Sequence, residues 1–582
     1  MIILGINAYH GDSSACILKD GKLLFAIEEE RLRRIKHWAG FPAMSIKACL
    51  DNTKIRLQDV DHIAINQNKN ANFYRKLWFS LSNKPNFKLI LERIKNRTKK
   101  SSILVDFEKN FSDFSFGGGF HEIEHHLTHM SSAFHVSPFR SSSIVSVDGF
   151  GDFASTAWGK GDDSEITIDK KIYFPHSLGV FYQSLTQWLG FNKYGDEYKV
   201  MGLAPYGKNT EVSKLNKIIK NYEDGSFKLN LDYFRHHSEN VPYKWENCEP
   251  KVGMLYSEQL LDLLGPARKK NEQLTQYHFD IAKATQFIYE ESFFNIINTV
   301  FKNQNNENIS LAGGCANNSV ANGKIYKRSP FKNVYVQSAA GDAGGALGAA
   351  FALWHMKGGK RVFSMDHAYW GPGFTNDDFK KLISKNKERL DDEDLKTTFF
   401  ENESLLFKKV AKFISKGMVI GFFQEKMEWG PRALGNRSIL GDPRRSDMKD
   451  ILNKKIKRRE SFRPFAPSVL SEEVKNWFEE DDDVPFMMQV FKIKNSKRKQ
   501  VPAITHVDGT GRLQTVSEKT NYRYYNLIKE FFNITGVPMI LNTSFNENEP
   551  VVCNPDEAMN CFLRTNMDVL VLGNWIIKRE GN

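Results

Sequence analysis

Apolar residues come in short runs closed by polar turns through the first 160 or so positions, the pattern of buried strands rather than of amphipathic helices. Met1 to Asn7 (MIILGIN) is such a run. HGDSS follows it, and ACILKDGKLLFAIEEE then doubles back with Asp20 and Gly21 at the turn. The same order begins again at Ser141, in SSSIVSVDGFGDFASTAWGKG. Both stretches predict strand, short polar turn carrying an aspartate, strand.

Further on, helical periodicity predicts a helix over about 43–51 and a longer one over about 275–301. NISLAGGCANNSVANGKIY from Asn308 and VYVQSAAGDAGGALGAAFALW from Val334 each predict a strand, a glycine-rich turn and a helix start. Small residues there would let a helix begin close to a bound group. Together these units predict a duplicated α/β domain of the actin and sugar-kinase type over residues 1–357. Beyond it the composition turns charged, and 358–404 is expected to be a linker. LLFKKVAKFISKG from Leu405 and the strand MVIGFFQ are expected to open a second α/β domain, 405–582.

The bulk numbers agree with two domains, because 582 residues exceed what one hydrophobic core covers. A composition that is 41% hydrophobic and 13% aromatic excludes a disordered chain. No stretch reads as a membrane span, and the N-terminus reads as a buried strand, not a signal peptide. Six cysteines without CxxC spacing suggest neither a disulfide framework nor a zinc knuckle, and a reducing cytoplasm is expected. The net charge of +12, with basic runs IKNRTKKSS and KKIKRRESFR, fits a phosphate-bearing substrate as well as a nucleic acid, so charge alone decides nothing.

Chemistry concentrates at EHHLTHMSSAF, where three of the chain's 15 histidines fall within five positions. On a helix His125 and His129 are one turn apart and can bind one divalent metal through neutral imidazoles, while His126 points elsewhere. Packing or capping accounts for most pairs of this spacing, so the ligand reading needs partners. Asp148 in VSVDGFGD and Asp342 in AAGDAGG both fall at predicted strand ends, where open α/β sheets bind ligands. Such a donor set suits a ferrous, manganous or zinc ion. His10, on the first strand-end turn, could serve as a general base. Gly313 and Gly314 in LAGGCANN do not make a P-loop, but would let the backbone approach an adenosine closely. In the second domain Arg432, Arg437, Lys457, Arg459, Arg463, Arg512, Ser544 and Asn546 fall in glycine- and proline-bounded segments suited to phosphate and carboxylate recognition.

LGINAYHGDSSACIL, HHLTHMSSAFHVSPF, VSVDGFGD, YGDEYKVMGLAPYG, LAGGCANN, GDAGGALGAA, EWGPRALGNRSIL, RESFRPFAPSVL and LNTSFN, in that order, resemble the O-carbamoyltransferases of nodulation and antibiotic tailoring, such as the tobramycin and cephalosporin enzymes. The resemblance implies an actin-like first domain, similar to tRNA threonylcarbamoyl-transfer proteins, fused to a YrdC-like second domain. It implies that the second domain converts carbamoyl phosphate and ATP, with Mg2+, to carbamoyl-adenylate and pyrophosphate, and that the first passes the carbamoyl group to an alcohol. Residue by residue, it makes His125, His129, Asp148 and Asp342 the metal site, with Fe2+ expected before Mn2+ or Zn2+, and His10 the base. Gly313, Gly314 and Asn317 would contact nucleotide. Lys457 and Arg459 (K-x-R) and Ser544 and Asn546 (S-x-N) would hold carbamoyl phosphate and ATP, with Arg432, Arg437 and Arg512 in neighbouring motifs.

Two other readings compete. Transfer of threonylcarbamoyl to tRNA uses both domain types, but GPRALGNRS and FRPFAPS match the small-molecule transferases, so nucleic acid is not the expected partner. A non-catalytic binding scaffold on the same fold sits poorly with an intact residue set. The expected partners are carbamoyl phosphate, ATP and a small-molecule alcohol, with a homodimer as the default assembly and no membrane. Acceptor choice is expected to reside in Lys69 to Lys109 and Thr210 to Pro266.

Overall fold

Ile2–Asn7 forms β1, Ser14–Lys19 β2 and Lys22–Glu28 β3, a meander whose turns are the polar segments read from the sequence. Helix α1 (Ala43–Thr53) leads to β4 (His62–Ile65), and β5 (Gly119–Glu122) precedes helix α2 (His125–Phe134). These strands form one sheet in the order β3-β2-β1-β4-β5. The first three run antiparallel, whereas β4 is parallel to β1 and β5 to β4.

The chain then repeats itself. Strands β6 (Ser141–Gly151), β7 (Ala154–Asp162) and β8 (Glu165–Tyr173) make a second antiparallel meander. After the long helix α3 (Gln276–Gln304), β9 (Asn308–Ala312) lies parallel to β6 and β10 (Asn333–Val336) parallel to β9. The order β10-β9-β6-β7-β8 is the order of the first sheet read from the other end, so both halves share one topology, that of the actin-like fold. Helix α4 (Gly344–Met356) follows β10 as α2 follows β5.

The structure is a computed structural model, and it describes residues 1–82, 103–111, 116–239, 241–246, 249–457, 460 and 462–579. They divide into two units, 1–365 and 366–582. Much of the basic stretch 69–109, including IKNRTKKSS, lies outside the described residues, as does Arg459.

The second unit is built on one mixed nine-stranded sheet. Its strands are β11 (Leu395–Phe399), β12 (Ile420–Phe423), β13 (Arg437–Gly441), β14 (Ala466–Leu470), β15 (Gln489–Lys492), β16 (Thr510–Val516), β17 (Met539–Ser544), β18 (Val569–Leu572) and β19 (Trp575–Arg579), in the order β11-β19-β18-β12-β13-β17-β14-β16-β15. Part of the stretch expected to be a linker belongs to this unit. Residues Asn376–Lys385 form helix α5, capped by Thr375 and Asp378 and burying Phe379, Leu382 and Ile383. β11 pairs antiparallel with the last strand, Leu395 opposite Arg579. The density of lysines and acids had masked an apolar stripe of helical spacing. Helix α6 (Glu403–Ser415) and β12 then follow much as the periodicity predicts.

Candidate metal and transfer site

Helix α2 is aimed by its buried face. Met130 and Phe134 pack against Ile144 of β6 and Ala157 of β7, while Glu124 caps the first turn by accepting from the Leu127 amide at 2.8 Å. Lys171 holds that carboxylate at 2.8 Å. With one side of the helix committed to the second sheet, His125 and His129 face the corner where β6 ends.

There the sequence-predicted residues meet. His125 Nε2 lies 3.0 Å from His129 Nε2 and 3.1 Å from Asp148 Oδ2. His129 Nε2 is 3.6 Å from Asp148 Oδ2 and 3.5 Å from Asp342 Oδ1, which is 3.7 Å from His125 Nε2. A tetrahedron of donors ~2.0–2.2 Å from a divalent ion has edges of ~3.3–3.6 Å, close to these separations. Two imidazole nitrogens 3.0 Å apart can share at most one proton. A divalent cation satisfies both lone pairs and balances both carboxylates, so the donor set fits a metal.

The electrostatics point the same way. Burial pulls the His129 imidazole down, but its hydrogen bonds and charge contact with Asp148 and Asp342 prevail and raise it to about 9. His125 is raised by the same aspartates against the same burial. Burial works to raise Asp148, yet the two histidines hold it well below the usual carboxylate range. Asp342 is raised, first by burial and then by the charge of Asp148. Positive charge is what this cluster lacks and attracts.

Neighbouring glycines make the geometry possible. A Cβ on Gly151 would fall 2.0 Å from the His125 ring, so β6 can close over that imidazole only with glycine there. The backbone amide of Gly314 donates to Asp148 Oδ1 at 2.8 Å, leaving Oδ2 for the histidines. Gly313 has φ 89° and carries the chain past the Val147 carbonyl, 2.2 Å from where a Cβ would sit. The glycine pair expected to contact nucleotide also orients the Asp148 carboxylate, through the Gly314 amide. Asn317 donates to the Gly314 carbonyl at 3.2 Å and steadies the same turn. The small residues of GDAGGALGAA serve close packing as well, since a Cβ on Gly348 would lie 1.8 Å from the Thr128 carbonyl of α2.

His10 stands beside the cluster, its ring centroid 5.2 Å from that of His125 and its side chain half-buried. His126 does not join: its Nδ1 pairs with Ser146 Oγ at 2.9 Å, and burial lowers it to about 3, which keeps it neutral. Two residues from the motifs VSVDGFGD and YGDEYKVMGLAPYG, not among the expected site residues, complete the surroundings. Asp152 Oδ2 accepts from the amides of His125 at 2.9 Å and Asn68 at 2.8 Å, tying α2 to the loop after β4. Tyr194 stands edge-on to His37 at 5.3 Å between centroids. The glycines of DGFGD and the histidine in KHWAG were the available hints.

In the second unit, residues distant in sequence also converge. The Lys457 side chain is fully buried, and its ammonium donates to the Asn546 carbonyl and Oδ1, both at 2.6 Å, to the Ser544 carbonyl, and to Ser544 Oγ at 3.4 Å. Ser544 Oγ donates to Asn546 Oδ1 at 2.8 Å. The turn that carries Lys457, Asn453–Lys457, is π-helical, a form enriched at functional sites. Arg432, Arg463 and Arg512 are half-buried, Arg512 on β16.

Arg437 opens β13. It is fully buried, donates to the carbonyls of Asn436, Glu425 and Pro372 at 3.0 Å and to that of Gln424, and lies 3.7 Å over the Phe423 ring. Burial lowers it to about 10. Through these bonds its guanidinium braces the GPRALGNR loop. Glu428 shapes the same loop from inside, accepting from the amides of Leu434 and Asn436 at 2.8 Å and Arg437 at 3.1 Å.

Comparison with known proteins now decides the family. Residues 2–351 match the carbamoyltransferase N-terminus model and residues 411–579 the carbamoyltransferase C-terminus model. The chain belongs to the carbamoyltransferase family. Nodulation protein NolNO of Sinorhizobium fredii is 36% identical over 600 residues, covering 99% of this chain and 80% of that protein. The 3'-hydroxymethylcephem-O-carbamoyltransferase of Amycolatopsis lactamdurans is 30% identical over 274 residues, 47% of this chain and 49% of the relative. An uncharacterised Synechocystis protein is 38% identical over 619 residues, 99% and 96% of the two chains. As a carbamoyltransferase the chain is an enzyme, and among its described residues no helix is long and apolar enough to cross a membrane.

Proposed function

We propose that this carbamoyltransferase works in two steps on two sites. The second unit, which we read as YrdC-like, hydrolyses carbamoyl phosphate with one water to carbamate and phosphate, and the carbamate oxygen then attacks the α-phosphorus of MgATP, forming carbamoyl-adenylate as the bond to pyrophosphate breaks. The first unit transfers that carbamoyl group to a hydroxyl of a small-molecule acceptor. The observation that carries this reading is the convergence of His125, His129, Asp148 and Asp342 within 4.8 Å of one another, with His10 beside them.

A weak nucleophile such as an alcohol needs a carbamoyl group on a good leaving group, and AMP supplies one. The acceptor oxygen attacks the carbamoyl carbon, its proton passes to His10, and the bond to the adenylate oxygen breaks. A divalent ion held by the His–Asp cluster, Fe2+ first among the candidates, would supply Lewis acidity beside the departing phosphate. Gly314 and Asn317 keep Asp148 in place for that role. In the second unit Lys457, Ser544 and Asn546 form a polar centre whose position suits the phosphates of the first step, with Arg432, Arg463 and Arg512 as additional cations.

The name of the cephem relative supports an alcohol acceptor. The free cysteines Cys16, Cys49, Cys315, Cys553 and Cys561 suit a cytoplasmic setting. Purified protein given ATP, carbamoyl phosphate and a divalent metal should release pyrophosphate and form carbamoyl-adenylate. Failure to produce either would overturn the two-step reading.

A further inference from the structure

The turn that presents His10 is held from outside by a second histidine. Between β1 and β2 the chain runs through Tyr9 at φ 63° and Asp12 at φ 55°, both in the left-handed region that strains a non-glycine residue. Such backbone persists where its surroundings over-determine it, and here they do. The Asn7 amide donates to the carbonyls of Gly11 at 3.1 Å and Asp12 at 2.9 Å. Residues 37–40 run alongside. Tyr9 N donates to the Gly40 carbonyl at 3.2 Å and Ser13 N to that of Trp38 at 2.8 Å. Ser13 Oγ accepts from Gly40 N at 3.0 Å and donates to the Gly40 carbonyl at 2.9 Å.

The side-chain lock on this arrangement is His37, itself at φ 55°, whose Nδ1 meets Asp12 Oδ1 at 2.8 Å. Its backbone amide donates to Glu30 Oε2 at 2.8 Å. The loop of YGDEYK closes the far side: a Cβ on Gly195 would fall 2.6 Å from His37 Nε2, and a Cβ on Gly11 the same distance from the Tyr194 hydroxyl. Gly11 sits between His10 and Asp12, so His37, Tyr194 and Asp12 together surround the residue next to His10.

We propose that the Asp12–His37 pair is a positioning clamp that fixes the His10 turn against the His125 side of the metal cluster. The inference rests on the reading of His10 as the acceptor's base. His37 touches no reacting atom; it acts through the turn. Asp12, Glu30 and His37 lie within 4.8 Å of one another, but both Glu30 oxygens are taken, one by the His37 amide and one by Arg31 at 2.9 Å, which disfavours a second cation there.

The clamp is an ion pair with a pH window. Burial acts to lower His37, but the charge and hydrogen bond of Asp12, with Glu30 behind it and Lys36 opposing, raise it to about 9. Asp12, which burial would raise, is lowered by His37 and then by Arg31. Glu197, from the YGDEYK loop, faces His37 too and is itself raised to about 7 by burial. The folded value of His37 exceeds its unfolded one, so the clamp is at full strength below about 6.5 and is lost as pH rises through about 9.

The test is carbethoxylation of individual histidines by diethyl pyrocarbonate, mapped by mass spectrometry on the full-length protein, which reads neutral imidazole without turnover. In Asp12→Asn, an isosteric change, His37 should react about 30-fold faster at about pH 7.5, its neutral fraction rising from ~3% to ~90%. His10 should become more reactive in Asp12→Asn and in His37→Gln, while His62, at the opposite end of β4, keeps its rate. An unchanged His10 rate in both Asp12→Asn and His37→Gln, whatever the rate at His37, would overturn the clamp. Failure of the two-step reading shows separately, as absence of pyrophosphate release by the unaltered protein.

Discussion

His125 and His129 direct their Nε2 atoms at one point, 3.0 Å apart, and Asp148 and Asp342 close on that point from the other half of the unit. The chain should therefore carry one divalent ion per molecule. His129→Ala and Asp342→Asn should each purify with little of it, as read by elemental analysis after desalting, and should lose transfer. Pyrophosphate release from ATP and carbamoyl phosphate should survive in both. Wild-type metal content in either variant would contradict the ligand assignment.

Gly151→Ala tests whether the ring of His125 is positioned by packing. The new methyl group would press on the imidazole from 2.0 Å, and overpacking of this kind costs about 1–3 kcal/mol. Metal content and denaturation midpoint should both fall. Gly149→Ala, where a Cβ meets nothing within 4 Å, is the control and should change neither.

Arg437→Met separates folding from binding. Four carbonyls each lose a hydrogen bond; those of Asn436 and Pro372 keep the amides of Gln424 and Met427, and a buried acceptor left unmet costs about 1–3 kcal/mol. The variant should unfold at lower denaturant, with the KM for ATP in the surviving folded fraction unchanged. A raised KM with normal stability would place Arg437 at the substrate site.

Lys457→Met keeps the length of the side chain and removes its charge. Pyrophosphate release should fall at least about 100-fold, the scale of losing a pre-positioned charged donor, while the metal content of the first unit stays as in wild type. Loss of metal together with pyrophosphate release would argue against two separate sites.

Glu197 gives a prediction with a sign. Burial raises its carboxyl to about 7, above the ~4.5 of the unfolded chain, so the folded state binds the proton more tightly. Stability attributable to this group is present below about 4.5 and declines as pH rises to about 7. Glu197→Gln should raise the melting temperature at about pH 8.5 and leave it nearly unchanged at about pH 4. Equal shifts at both would show that ionisation is not the cause.

The strand repeats were legible because each half opens with an apolar run and a polar turn, and a period of two survives in a single sequence. The four residues of the His–Asp cluster were legible as types and spacings, and more so through the family resemblance. What escaped was set by backbone shape and partner choice. Nothing in the residue name shows that the guanidinium of Arg437 donates to backbone carbonyls, or that the Gly314 amide donates to the Asp148 carboxylate. His37 escaped because its partner lies 25 positions away, across two strands. Helix α5 escaped for a different reason: its apolar stripe of Phe379, Leu382 and Ile383 is embedded in lysines and acids.

The duplicated topology interlocks the two halves. Helix α2 leaves the first sheet yet buries Met130 and Phe134 against the second. Helix α4 leaves the second sheet yet passes so close to the first that a Cβ on Gly5 would fall 2.1 Å from the Ala346 carbonyl. Each sheet is thus covered by the other half's helix, in the manner of an exchanged pair within one chain. His125 and His129 ride on one crossing helix, and Asp342 immediately precedes the other. Either half expressed alone would present a bare sheet face and an incomplete ligand set, so the two should rejoin when mixed, and the metal should favour their reunion.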